Sequence, residues 1–554
     1  MSKKVLKRIL IAALSTGILS MSPILDNVAM ARSLAINVPK IPVEVANWVA
    51  SNFKNGTYDL NFDKSIGKEY SRNCNGMTVD YFAYEKIVYV SKPKMPEYQS
   101  MNIYIPKGYL EGKTINGYTA KTAPIFMPNG VGGYMPGRAL TPLENDKMAG
   151  GGANAVLYAL SRGYVVVCPA IRGRTNEVNG VYVGKAPAFI VDYKAAVRYL
   201  KFNRENLPAG DPEKIISNGT SAGGALSALL GVTGNAKEYE PYLQEIGAAT
   251  NGSGGDDIFA ASVYCPITNL EHADMAYEWI FSGVNKYYPA MWQLQDLANR
   301  GLYKLNQKID GKLDSDSANN PTASSEAVDM TNAEIEVSPI LKSAFPTYVN
   351  SLDLHDSKGN VLDLDDRGNG TFKDYIKSKY AESAQGALDA GIDLSNVDWV
   401  IIDSGKVVDI DLQKYASTVT RMKAAPAFDK LDLSSAENDE FATEANVPKH
   451  FSKISKENEI KTGDMASDEV IKLMNPMNFI GGNVQTASHF RIRHGAIDRD
   501  TSLAIPAILA LKLQYSGIDV DFFSPWAKGH AGDYDLEELF DWADKICKAD
   551  PRSK

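Results

Sequence analysis

Gly219-Thr220-Ser221-Ala222-Gly223 places a serine midway between two glycines, the G-x-S-x-G spacing of a nucleophile elbow. The pentapeptide lies within Ile215 to Thr233, IISNGTSAGGALSALLGVT, a β-branched run that passes through small residues into an Ala/Leu helix. A strand turning directly into a helix needs a strained backbone at its apex, and glycine flanks avoid collision with the neighbouring elements. The Ser221 hydroxyl is then left at a helix N-terminus, where free N–H groups and the macrodipole favour developing negative charge. On its own the pentapeptide is an ordinary glycine-rich turn; the strand before it and the helix after it make it a nucleophile.

A serine hydroxyl attacks poorly until a base takes its proton. Near the C-terminus the strand His489-Phe490-Arg491-Ile492-Arg493-His494 leads into Gly495-Ala496-Ile497-Asp498-Arg499-Asp500, then a helix over 501–515. The strand Val520-Asp521-Phe522-Phe523-Ser524-Pro525-Trp526 follows, and Ala527-Lys528-Gly529-His530-Ala531-Gly532 closes it. An acid past one strand and a histidine past the next complete the order Ser, Asp, His. His530 is the expected base, and Asp498 the acid that fixes its tautomer and stabilises the imidazolium, with Asp500 left open as the alternative acid. Of the six histidines, His489 and His494 alternate with polar residues on a strand and read as structural, whereas His272 in NLEHADMAYEW stays open between a structural and a site-lining role. A strand over Ala123 to Met127 ends in Pro128-Asn129-Gly130-Val131-Gly132-Gly133-Tyr134, a glycine cluster about 90 residues before Ser221, where proteins with a nucleophile elbow such as lipases place an oxyanion loop. Gly132 or Gly133 would supply one N–H and Ala222 the other.

These residues need a scaffold, and the hydrophobic pattern describes one. Alternating segments from about Gly56 to Leu110 read as antiparallel strands at a sheet edge. Then come a helix near Asn154 to Arg162, a buried strand Tyr164 to Pro169, a long helix from about Phe189 to Arg204, the elbow, and a buried strand Ile258 to Cys265. Such alternation predicts an α/β fold, a mostly parallel sheet with helices on both faces. It stops between residues 281 and 477, read as an inserted lid containing a hairpin over Trp399 to Val408, and resumes at 478. The expected layout is therefore a catalytic domain over 32–280 and 478–554 with the lid between. Asp363, Asp365 and Asp374 in DLDDRGNGTFKD have a faint calcium-loop spacing, but Arg367 stands where a ligand belongs, so a solvated turn is expected.

Lys3, Lys4, Lys7 and Arg8 precede an apolar run from Ile9 to about Leu19, and Ala29-Met30-Ala31 offers a small-x-small cleavage site. This is the pattern of a secretory signal peptide over 1–31, cleaved after Ala31, for a protein destined for the medium, the periplasm or the cell surface. No later segment approaches a membrane-spanning apolar run. The net charge of −9 becomes about −12 without residues 1–31, an acidic balance that argues against nucleic acid as a partner. At 44% hydrophobic and 23% charged, the composition is that of a globular enzyme rather than a disordered chain. Cys74, Cys168, Cys265 and Cys547 are far apart, without metal-ligand spacing, and indicate no particular disulfide. No metal or organic cofactor is called for.

NGTSAGGALSALLG, YCPITNLEHADMAYEW, RHGAIDRDTS and WAKGHAG together resemble bacterial tannases of the α/β-hydrolase type, subtype B, relatives of feruloyl esterases. The resemblance runs from about residue 60 onward, lid included. It implies an α/β-hydrolase fold and a Ser221, Asp498, His530 triad, whose 32-residue Asp-to-His spacing agrees with the family. It further implies that Lys423, Glu437 and Asp500 hold galloyl hydroxyls and that Ile267 covers one ring face. Ala436 stands where the family has a proline against the other face. The implied activity is hydrolysis of galloyl esters and depsides to gallic acid, on a small-molecule polyphenol ester. A feruloyl or broad aryl esterase would use the same triad and differ only in the lid residues. A serine peptidase on this fold would carry a propeller or another cap, and no blade-length repeat is present. A non-catalytic hydrolase-like binding protein would be expected to lack a triad member.

Overall fold

A computed structural model describes residues 53–54, 57–143, 154–250, 254–289 and 327–550. The N-terminal segment read as a signal peptide, and the Ser/Asp/Asn-rich stretch up to residue 326, lie outside these residues.

The described chain builds β1 (Lys68–Cys74), β2 (Met77–Val88), β3 (Ser100–Pro106), β4 (Pro124–Pro128), β5 (Val165–Pro169), β6 (Asp211–Thr220), β7 (Ala260–Tyr264), β8 (His489–Arg493) and β9 (Asp519–Phe523). They form one nine-stranded sheet in the order β9-β8-β7-β6-β4-β5-β3-β2-β1. β4 to β9 pair in parallel, and the first three strands add an antiparallel edge. β4, β5 and β7 are buried at every position. Continuous apolar runs are what a parallel strand needs when helices cover both faces, and each fully buried Val, Ile or Phe contributes about 1.5–3 kcal/mol.

Register decides where the functional loops emerge. Thr220 pairs with Tyr264, Tyr264 with Arg493, and Arg493 with Phe523, while Asn218 pairs with Pro128. The carboxyl ends of five parallel strands are therefore level. The loops that follow them, carrying Gly132, Ser221, Ile267, Asp498 and His530, leave from one edge. β4 lies between β5 and β6, so the sheet reverses its direction of growth there, and crevices form outside carboxyl ends at such reversals.

Helices α1 (Ala155–Ser161), α2 (Ala188–Phe202) and α3 (Ala222–Val232) connect the central strands. Asn154 caps α1 by accepting from the Leu157 N–H at 3.0 Å. α2 is buried along nearly its whole length and brings charge inside with it. Lys194 Nζ lies 2.8 Å from Asp256 and donates to the Thr233 carbonyl at the end of α3, and Arg198 Nε reaches the other Asp256 oxygen at 2.9 Å. Burial opposes the Asp256 charge, but these two cations outweigh it and hold the carboxyl below its ordinary value. The network locks α2 to the far end of the elbow helix.

α4 (Leu270–Phe281) leads into the inserted segment, which builds α5 (Asn332–Ser351), α6 (Thr371–Asp389), a hairpin of Val400–Asp403 with Lys406–Ile410, α7 (Leu412–Val419) and the short α8 (Ala436–Glu440). Its aromatic residues join the core of the sheet region: Phe345, Phe372, Tyr380 and Tyr415, with Trp279 of α4, belong to the same buried cluster as Ile125 and Val166. A small second cluster unites Met330, Val337 and Leu341 with Ala424, Ala425 and Leu431. Asp365 spends its side chain on the N–H groups of Arg367 and Asn369, and Asp363 on the Thr371 hydroxyl, as in a tight solvated turn. α9 (Ala504–Tyr515) and α10 (Leu536–Ala549) complete the chain. No helix among the described residues is long and apolar enough to cross a membrane.

Asp256→Ala should cost about 3–5 kcal/mol, because it strands the buried Lys194 and Arg198 charges without their shared counter-ion. Urea unfolding of the variant against the wild type measures this, and a loss below about 1 kcal/mol would show that the network is dispensable.

Candidate active site

Ser221 sits at φ 63°, ψ −124°, a conformation costing a non-glycine residue on the order of 1–3 kcal/mol. The turn is too tight for side chains beside it. A Cβ on Gly219 would meet the Gly223 carbonyl oxygen at 2.2 Å, and one on Gly223 would meet Asn129 Oδ1 at 2.4 Å. The Ser221 N–H donates to the Tyr264 carbonyl at 3.0 Å, and the Ser221 carbonyl accepts from Ala225 and Ile267 N–H groups. The end of the neighbouring strand β7 and the loop after it thus hold the apex in place.

Asn129 fastens the loop after β4 to this turn. Its Nδ2 lies 3.1 Å from the Asn218 carbonyl, 3.0 Å from that of Gly223 and 3.1 Å from Ser227 Oγ, while its Oδ1 accepts from Val131 N–H. Gly132, Gly133 and Ala222 line the same cavity as Ser221. Ala222 opens α3, where an N–H has no intrahelical acceptor. Tyr134 donates its hydroxyl to the Ile267 carbonyl at 2.7 Å, tying the glycine loop to the β7 loop.

His530 lines the same cavity as Ser221, and its Nδ1 lies 2.9 Å from Asp498 Oδ2. Asp498 Oδ1 accepts the Asp500 N–H at 2.8 Å, which fixes the carboxylate plane. Burial disfavours the Asp498 charge, but His530 and then His494 more than compensate, and the carboxyl is held down at about 2. Burial likewise disfavours the imidazolium, yet Asp498 overrides it and raises His530 well above its ordinary value. Asp500, the alternative acid, lies 4.0 Å from His530 Nε2 and instead pairs with Lys423 Nζ at 2.7 Å.

Lys423, Glu437 and Asp500 converge on this cavity from the insertion and the β8 loop. Tyr277 on α4 joins the two: its hydroxyl donates to the Arg499 carbonyl at 2.7 Å and accepts from Met422 N–H at 3.1 Å. Arg421, fully buried against Glu278, donates from Nε to the Lys423 carbonyl at 2.7 Å. Burial opposes the Lys423 charge, but Asp500 and Glu437 raise its ammonium above the usual value. Glu437, on α8, is pushed up by burial against the counter-pull of Lys423. Ser435 and Asn438 form a capping box at the start of that helix. Asn438 also donates to Asp429, a buried carboxylate that accepts from Phe451 and Ser452 N–H groups. Ile267 and Ala436 line the cavity as well, which measures about 1040 Å³.

His272 does not face the site; it stacks on Tyr348 at 3.7 Å between centroids, and burial pulls it down to about 4. His489 binds Asp519 on the neighbouring strand. His494 is less remote than its strand position implies, standing 3.7 Å from Asp498. Reasoning from sequence missed this second imidazole, the Asn129 brace and the Tyr277 bridge. The signal for Asn129 was an amide at the first position after a buried strand. Tyr277 carried none, because its partners lie far along the chain. Cys265 Sγ, Asp498 and His530 are one grouping of metal-ligand character among the described residues, their ligand atoms within 4.8 Å of one another. Within it, His530 Nδ1 and Asp498 Oδ2 are hydrogen-bonded to each other. All four cysteines are buried thiols.

The mostly parallel sheet and the serine at a strained strand-to-helix turn define an α/β-hydrolase. A family model described as BD-FAE matches residues 137–275, which include the elbow. Among solved structures, Fusobacterium nucleatum tannase is 48% identical, with a TM-score of 0.80 over 88% of this chain and 100% of its own. Tannin acyl hydrolase from Lactobacillus plantarum is 42% identical, with a TM-score of 0.78 over 88% of this chain and 99% of its own. A tannin acyl hydrolase in complex with ethyl gallate matches at the same identity, coverage and TM-score. No curated protein sequence matches. The chain belongs to the tannase family and is a carboxylic ester hydrolase.

Asn129→Ala removes three hydrogen bonds from the elbow and frees the glycine loop. Each buried hydrogen bond lost costs about 0.5–1.5 kcal/mol, so both thermal stability and ester turnover should fall. A variant with wild-type melting temperature and turnover would remove Asn129 from the support of the site.

Proposed function

We propose that this protein is an exported serine esterase that cleaves galloyl ester and depside bonds of hydrolysable tannins, releasing gallic acid through an acyl-enzyme. The observation that carries the reading is one cavity lined by Ser221, by His530 with Asp498 hydrogen-bonded behind it, and by the buried Lys423, Asp500 and Glu437. His530 takes the Ser221 proton as the oxygen attacks the ester carbonyl, and Asp498 stabilises the imidazolium. The N–H groups of Ala222 and of Gly132 receive the oxyanion. His530 then protonates the leaving alcohol, and water repeats the sequence to release the acid.

Ring recognition follows from donor and acceptor chemistry. Phenolic hydroxyls donate well to carboxylates, and an ammonium donates to phenolic oxygens. A ring lacking those hydroxyls would leave buried charged groups without partners, a discrimination on the order of 10⁴. Ile267 would cover one ring face. Neighbours crystallised with ethyl gallate and with 3,4-dihydroxybenzoate support a small phenolic ligand. The BD-FAE match ends at residue 275, before Lys423 and Glu437, so it bears on ester cleavage and not on ring recognition. Export rests on the charged and apolar pattern of residues 1–31.

Purified protein should hydrolyse methyl gallate far faster than methyl ferulate or methyl benzoate, with Ser221→Ala as a blank losing roughly 10⁴- to 10⁶-fold in kcat. Glu437→Ala should damage gallate hydrolysis much more than benzoate hydrolysis. Preference for ferulate would keep the serine esterase and discard gallate recognition. The pH profile tests the base. Asp498 raises the pKa of His530, so the neutral, active imidazole is lost as pH falls through that raised value, and kcat/KM should decline on its acid side. Asp498→Asn should move this acid limb to lower pH and reduce kcat by about 10⁴; an unmoved limb would assign it to another group.

A further inference from the structure

We propose that the same cavity contains a second subsite, formed by Lys430 and Glu334 on the wall supplied by the insertion, that binds a second polyhydroxylated aryl ring of the substrate. The proposal rests on the galloyl-ester reading of the first subsite and extends it to substrates that carry two such rings.

The first observation is space. A cavity of about 1040 Å³ stands at the upper end of the roughly 300–1,000 Å³ that accommodates drug-sized ligands, and one trihydroxyphenyl ester is much smaller than that. Lys423, Glu437 and Asp500 account for a single ring. The lining continues past them to Tyr287, Thr331, Glu334, Lys430, Leu433 and Ile460, a mixture of charged and apolar groups suited to an aryl ring edged with hydroxyls. Ile460 is 64% exposed, an apolar side chain left open where the cavity meets solvent.

The second observation is an ion pair held too far apart to form a hydrogen bond. Lys430 Nζ stands 3.8 Å from Glu334 Oε1, whereas Lys423 and Asp500 close to 2.7 Å. The other Glu334 oxygen is committed to the Thr331 N–H at 2.8 Å in the capping box of α5, which holds that carboxylate in place. The Lys430 backbone is equally fixed, its N–H donating to Asn438 Oδ1 at 3.0 Å beside the helix that carries Glu437. Glu334 cannot turn toward Lys430 without giving up its bond to Thr331. A phenolic hydroxyl between them donates to Glu334 and accepts from Lys430, the same chemistry as in the first subsite. Burial pulls the Lys430 ammonium below its ordinary value against the opposing pull of Glu334 and Asp432.

The experiment compares methyl gallate with methyl digallate, which carries one ring more, on the full-length enzyme and its Lys430→Met, Lys430→Gln and Lys430→Arg variants. Lys430→Met and Lys430→Gln should raise KM for the digallate about tenfold, the loss expected for one charge-assisted hydrogen bond, with kcat changed less than about twofold. KM for methyl gallate should move by less than about twofold, and Lys430→Arg should restore most of the digallate affinity. Two isosteric replacements guard against one failing to fold, which thermal unfolding reports. Equal effects on both esters, or no effect on the digallate, would overturn the second subsite while leaving the first intact. Absence of wild-type turnover on both esters would overturn the galloyl reading and this proposal together.

Discussion

The backbone at Ser221 is the constraint on which the remaining geometry depends. A serine at φ 63° is unfavourable by itself and persists only because its surroundings over-determine it. Three separate parts of the chain contribute: the glycines that allow β6 and α3 to approach, the Tyr264 carbonyl on β7, and the Asn129 amide from the loop after β4. Removing any of them would relax the turn. The same contacts that hold the serine also position the glycine loop on one side and the β7 loop on the other. Strain at the apex and assembly of the cavity are therefore one structural event.

Buried charge performs the second organising task. Asp498 is fully enclosed, yet it stays ionised because two imidazoles and a backbone N–H face it. Asp500 uses its carboxylate differently, pairing with a lysine from the insertion. Two acids a single residue apart thus take different partners. The Asp500 N–H satisfies one Asp498 oxygen, while its carboxylate closes on Lys423 and stands 4.0 Å from His530 Nε2. Charges this deeply placed are costly unless matched, which gives the loop little freedom to rearrange.

The insertion is bound to the sheet region by shared packing rather than hinged to it. Tyr277 and Tyr415 both donate their hydroxyls to carbonyls of the β8 loop, at Arg499 and Ala496. Trp399 of the hairpin packs on Trp526 beyond β9 at 5.2 Å. These contacts link the position of Lys423 and Glu437 to that of Asp498 and His530. The lysine and glutamate of the insertion consequently share one frame with the Asp498–His530 pair, as positioning of groups around a bound ester requires.

Much of the fold was legible in the sequence because the signals are local. Val165–Pro169 is an unbroken apolar run and Ala260–Tyr264 is interrupted only by Ser262, and a run of that kind can satisfy its neighbours only as an interior strand. The elbow was legible for the same reason, since glycine spacing and helix onset lie within a few residues. Lys423 and Glu437 carried no such signal; nothing in MKAAPAFD or AEN marks a binding group, and only resemblance to a family pointed to them. Sequence alone determined which elements form and which residues have reactive side chains. The tertiary structure decided which of two neighbouring acids meets His530, how far apart Lys430 and Glu334 stand, and that His494 lies beside Asp498. Those outcomes depend on strand register and on packing between segments far apart in the chain, and register is a property of the assembled sheet, not of any one strand.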